Sequence, residues 1–128
     1  MMKHILVIDD EASVLSLFGQ FLENAGYSVA LAPDGQAGLR LLKQQKPDLI
    51  ITDIMMPEMD GLELLMKVQK QYPGIPVIAI SGGMKSQPAN FLPQARKFGA
   101  QHVFIKPIEL SELLNVVQKL LSDSAEDK

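Results

Sequence analysis

The chain contains no cysteine, only 5% aromatic residues and no long apolar run. Each of these lacks removes a class of function. Without thiols there is no disulfide, no thiolate zinc site and no cysteine nucleophile. There is no basic stripe and no aromatic platform, and the formal net charge is −3, which argues against a nucleic-acid surface. The apolar stretches are strand-sized, so no segment is expected to span a membrane. The N-terminal Met-Met-Lys-His leads through Ile5–Ile8 straight into two aspartates. That run is too short for a signal peptide and lacks a small-residue cleavage site. The expectation is a soluble, cytoplasmic protein with neither a nucleic-acid nor a membrane partner.

What remains is enough for a folded domain. The 128 residues fit one domain, and 47% of them are apolar. Charged residues make up 21%, too few for a disordered chain of this hydrophobicity. Apolar, β-branched runs alternate with segments of helical period, the signature of repeated βα units. The expected strands are Lys3–Ile8, Tyr27–Leu31, Leu49–Thr52, Val77–Ile80 and Val103–Ile105. The first helix is expected over Glu11–Asn24, with Val14, Leu15, Phe18, Phe21 and Leu22 as its apolar stripe. Gly26 is placed to stop it. The second helix carries Leu39, Leu41 and Leu42 and cannot pass Pro47. The third carries Leu62, Leu64, Leu65 and Val68, and the fourth Phe91, Leu92, Ala95 and Phe98, closed by Gly99. The last starts near Glu109 or Ser111 and carries Leu113, Leu114, Val117, Leu120 and Leu121. The domain is therefore expected over residues 1–121, with a polar tail over 122–128. Alternating strands and helices imply an α/β fold: a doubly wound, five-stranded parallel sheet between two helical layers. Periodicity does not fix the strand order.

The polar residues that close the apolar runs are Asp9-Asp10, Asp53, Ser81 and Lys106. In an open parallel sheet, ligands bind just beyond the carboxyl ends of the strands. Three carboxylates, a hydroxyl and an ammonium are thus expected at one edge. Three acids together repel one another unless a cation holds them. Oxygen ligands without His or Cys point to Mg²⁺, which combines a few carboxylates with water and phosphate. Taken alone, each residue has a plainer reading. Asp9-Asp10 would be solvated strand-end acids, Asp53 an ordinary N-cap or loop aspartate, Ser81-Gly82-Gly83 a turn, and Lys106 an ion-pair partner. Taken together they suit phosphoryl chemistry. A carboxylate at Asp53 can attack phosphorus, Ser81 can donate to a phosphoryl oxygen, and Lys106 can supply positive charge. The Walker lysine and spacing of a P-loop are absent. His4 and His102 read as structural or exposed. Lys106 precedes Pro107, so that bond is a candidate for the cis form.

The segments Val7-Ile8-Asp9-Asp10-Glu11, Ile51-Thr52-Asp53-Ile54-Met55-Met56-Pro57, Met59-Asp60-Gly61, Ser81-Gly82-Gly83 and Gly99-Ala100, leading to Lys106-Pro107, together resemble the receiver domain of two-component response regulators, the CheY-like family. The likeness covers about Lys3 to Leu121. It implies a flavodoxin-like fold with strand order 2-1-3-4-5. It also implies that Asp53 is the phosphoacceptor. Mg²⁺ would be held by Asp10, Asp53 and the Met55 carbonyl, with Asp9 helping through water. Ser81 and Lys106 would contact the phosphoryl oxygens. The implied protein is a switch rather than an enzyme. It takes its phosphoryl group from a histidine kinase or phosphotransfer protein and acts on a downstream target or an output domain.

One position departs from the family. Three residues before Lys106, where Tyr or Phe is often found, stands Val103, while Phe104 is expected in the core on the other strand face. The phosphorylation signal is therefore expected to travel through the loop after Ser81. Three alternatives fit these residues less well. A Mg²⁺-dependent aspartyl-phosphate phosphatase needs an acid two residues after the nucleophile, where Met55 stands. A flavin module needs a first loop that welcomes phosphate, where three acids stand. A receiver-like module that is never phosphorylated would have no use for the complete acidic set.

Overall fold

The computed structural model describes residues 2–54, 61–81 and 99–126. Labels here count the described elements in chain order. They are β1 (His4–Ile8), α1 (Ala12–Asn24), β2 (Ser28–Ala32), α2 (Gly35–Gln44), β3 (Leu49–Asp53), α3 (Gly61–Gln71), β4 (Val77–Ser81), β5 (His102–Ile105) and α4 (Leu110–Glu126). The five strands form one sheet in the order β2-β1-β3-β4-β5, and every pairing is parallel. The helix expected over 91–98, the Met55–Asp60 loop and most of the loop after Ser81 lie outside the described residues.

The side-chain alternation of a strand splits the core in two. Leu6 and Ile8 of β1 join Ile50, Leu42 of α2 and Leu64, Leu65 and Val68 of α3. Ile5 and Val7 point the other way and join Ile51, Ile78 and Ile80. There they meet Leu15, Phe18 and Leu22 of α1 and Leu113, Val117 and Leu121 of α4. The sheet is therefore a middle layer covered on both faces, which is why its central strands read as unbroken apolar runs. Each Ile or Leu so buried contributes about 1.5–3 kcal/mol. A core of this size can carry a cluster of mutually repelling acids at one edge.

Local chemistry sets the element boundaries. Gly26 has φ +104, a conformation that L side chains rarely adopt. Its N–H donates to the Glu23 carbonyl, and the Tyr27 N–H donates to that of Leu22, closing α1 as expected. Asp34 caps α2 by accepting from the Ala37 N–H at 2.8 Å. Most ends fall within a residue or two of the sequence expectation. The exception is α4, which runs to Glu126 and so takes in most of the segment expected to be a polar tail. Ser122–Glu126 offers no Gly or Pro to stop a helix, and polar residues on a helix face need no core.

Candidate functional site

β1 and β3 are neighbours, and Ile8 pairs with Thr52. The next residues, Asp9 and Asp53, thus leave the sheet side by side. Asp53 lies opposite Ile80 on β4, and Ser81 lies opposite Ile105 on β5, directly before Lys106. Four strand ends thereby converge at one edge. The backbone of Ser81 stands in this row, while its side chain and Met55 lie outside what is described. The Lys106–Pro107 peptide bond is cis.

Asp9 and Asp53 are almost completely buried, at 1% and 3% exposure, whereas Asp10 is exposed. One carboxylate oxygen from each of the three lies within 4.8 Å of the others. Lys106 enters from β5. Its Nζ lies 3.0 Å from Glu11 Oε1, 3.3 Å from Asp9 Oδ2 and 3.4 Å from Asp53 Oδ2. The Glu11 backbone N–H donates to Asp9 Oδ1 at 2.9 Å. The buried Thr52 hydroxyl donates to the Asp53 carbonyl at 3.1 Å, so it adds no unpaired donor beside the site.

These contacts explain the electrostatics. Burial pushes the Asp9 carboxyl up from its ordinary value, and Asp10 adds to that. The Glu11 N–H and Lys106 oppose it without cancelling it. Burial by itself would lower the Lys106 ammonium. The Glu11 hydrogen bond and the Asp9 and Asp53 charges outweigh burial and raise it, so Lys106 stays a cation. Three carboxylates contact the ammonium and Asp10 lies beside them, leaving a surplus of negative charge. Three convergent oxygens, with no histidine or cysteine joining them among the described residues, fit a hard divalent cation such as Mg²⁺.

The sequence pattern assigns Glu11 no chemical role beyond its place after Asp10. Yet Glu11 makes the shortest of the three lysine contacts. A carboxylate one residue past two site acids, where the chain turns from strand to helix, was the available signal. Both histidines, expected to be structural or exposed, are partly buried. His4 Nδ1 lies 3.2 Å from Ser28 Oγ, and the ring of His102 lies 4.6 Å from that of Phe104. Val103 and Phe104 are partly buried against the two opposite core layers, as the alternation requires.

A parallel α/β sheet that gathers buried aspartates and a lysine beyond its strand ends is the arrangement that suits a divalent cation and a phosphoryl group. Residues 5–118 match the family model of the response regulator receiver domain, and the chain belongs to that family. It is similar to the transcriptional regulatory protein GlrR of Escherichia coli K12, with 38% identity over 95% of this chain and 27% of that protein. It is 34% identical to the DNA-binding transcriptional regulator NtrC of a Bradyrhizobium strain, over 95% of this chain and 25% of that one. The chain thus spans about a quarter of the length of these regulators. Among solved structures, a CheY-like receiver domain protein from Methanospirillum hungatei superposes with a TM-score of 0.92 at 29% identity, covering all of both chains. NtrX from Brucella abortus superposes at 0.89 with 30% identity, over 99% of this chain and 28% of that one. The chain is a phosphorylation-based signalling receiver of the two-component type. Among the described residues, no helix is long and apolar enough to cross a membrane.

Proposed function

We propose that Asp53 is the phosphoacceptor, supplied by a histidine kinase or a histidine phosphotransfer protein. The observation that carries this is the position of Asp53. It stands at the centre of the strand-end row, buried, with the Lys106 ammonium 3.4 Å from Oδ2 and two further aspartates beside it. In the transfer, an Asp53 oxygen attacks phosphorus as the bond to the donor histidine nitrogen breaks. The electron pair leaves with the imidazole, and an acyl phosphate remains. Lys106 would balance charge on the arriving oxygens, and by the family resemblance Ser81 would donate a hydrogen bond to one of them. Asp9, Asp10 and Asp53 would hold Mg²⁺, with the Met55 carbonyl as a further ligand by resemblance. When bound, the cation supplies the positive charge that lets a phosphoryl group approach a carboxylate cluster.

The output is a change in binding, toward a target protein or toward an output domain of the kind the longer relatives carry. A cytoplasmic location fits this reading. The reading is tested by incubating the protein with Mg²⁺ and acetyl phosphate and weighing it. The wild type should gain the mass of one phosphoryl group, and Asp53→Asn should gain none while keeping its circular dichroism spectrum. Equal labelling of the two would remove Asp53 from the role.

A further inference from the structure

We propose that Glu11 is a positioning residue whose carboxylate holds the Lys106 ammonium at the outer side of the pocket, a hold that is released when a phosphoryl group arrives on Asp53. The second half of this rests on the reading of Asp53 as acceptor. The first half stands on geometry alone. An ammonium has three donors, and each of the three nearby carboxylates lies within reach of Nζ. A phosphoryl oxygen can gain Nζ only by displacing one of them. Asp9 is buried, and its other oxygen is already taken by the Glu11 N–H, so abandoning it would leave a buried carboxylate with the metal ion as its one remaining charge partner. Asp53 is the group being modified. Glu11 is 59% exposed, so water takes over at once when its bond to Lys106 breaks. Of the three contacts, the shortest is therefore also the one most cheaply given up.

A second observation separates this role from helix building. Glu11 occupies the N-cap of α1, with extended backbone at φ −95 and ψ 116, but its side chain makes no cap hydrogen bond. Asp, Ser, Thr or Asn is the usual choice there because a short side chain reaches the first free N–H groups. The longer Glu11 instead reaches across to a residue 95 positions away. The same residue thus pins Asp9 through its backbone and Lys106 through its side chain.

The contact slows phosphorylation by the size of an exposed ion pair, about two- to fivefold. Two substitutions distinguish it from plain charge repulsion. Glu11→Asp keeps the charge, cannot reach Nζ without displacing it, and can cap α1. Glu11→Gln keeps the length and removes the charge. Both should raise the initial rate of labelling by acetyl phosphate in saturating Mg²⁺ about two- to fivefold. Both should lower the half-saturating beryllofluoride concentration by a similar factor. If only Glu11→Gln is faster, repulsion explains the effect and the hold is disproved. If both match wild type, it is equally disproved. A wild type that takes no label overturns the acceptor reading and the release step with it. A metal-free, phosphate-free measurement then decides the hold by itself. In ¹⁵N spectra of the lysine ammonium groups at low temperature, exchange of the Lys106 protons with water should be several-fold faster in Glu11→Asp than in wild type. An unchanged exchange rate would show that Glu11 does not grip the lysine.

Discussion

At the scale of single residues, the site is a balance of charges held too close together. Asp9 is buried and its carboxyl is raised by that burial, with Asp10 adding to the strain. Lys106 compensates only in part, because one ammonium serves three carboxylates. Removing an acid should therefore relieve the metal-free protein. Asp10→Asn should raise its unfolding free energy, on the order of 0.5 kcal/mol after solvent screening. The same change should weaken Mg²⁺, since it removes one of three converging ligands. Melting curves with and without millimolar-range Mg²⁺ check both halves. Wild type should gain several degrees with the metal and the variant clearly less. A wild type indifferent to Mg²⁺, or a variant that melts lower without metal, would contradict this account.

At the scale of elements, the helices do the structural work and the strand ends carry the chemistry. The two kinds of duty are separable. Asp34 illustrates this: it follows a strand in the chain, but unlike Asp53, which closes β3, its carboxylate accepts from the Ala37 N–H and starts α2. Asp34→Ala should cost about 1 kcal/mol in urea unfolding, the usual value of an N-cap. It should leave labelling by acetyl phosphate at the wild-type rate. Slower labelling would mean that α2 communicates with the site. Gly38 on the same helix is constrained by packing, since a Cβ there would come within 2.5 Å of Ile8 Cδ1 in the core.

For the whole molecule, the question is how a phosphorylated partner reaches a carboxylate recessed at the sheet edge. Val14, Leu17 and Phe18 of α1, with Pro107 and Ile108 after β5, line an apolar groove of about 440 Å³ beside Lys106. Leu17 is 51% exposed there. On the proposed reading, a protein that delivers phosphorus to Asp53 would lie over this groove, whereas a small donor would not need it. With a phosphotransfer protein that labels the wild type, Leu17→Glu should slow transfer about tenfold, the effect of losing roughly 1.4 kcal/mol of apolar contact. Labelling by acetyl phosphate should be unaffected. Equal slowing with both donors would place the effect inside the site, and no slowing with the protein donor would move the docking surface elsewhere.

The sequence by itself determined the alternation of strands and helices, because apolar periods of two and 3.6 are local properties. It also determined which residues close the strands. In a parallel sheet, that is enough to send Asp9, Asp53, Ser81 and Lys106 to one edge, and the resemblance to receivers supplied the strand order that periodicity left open. The tertiary structure decided what depends on distance across the fold. It buried Asp9 while leaving Asp10 in solvent, although the two are adjacent in the chain. It carried α4 five residues beyond Leu121, the last residue of its expected apolar stripe, to Glu126, where no stop signal intervenes. It also gave Lys106 to Glu11, a pairing across 95 positions that no local pattern encodes. Such a contact exists only because parallel pairing brings the end of β5 and the start of α1 to the same edge of the sheet.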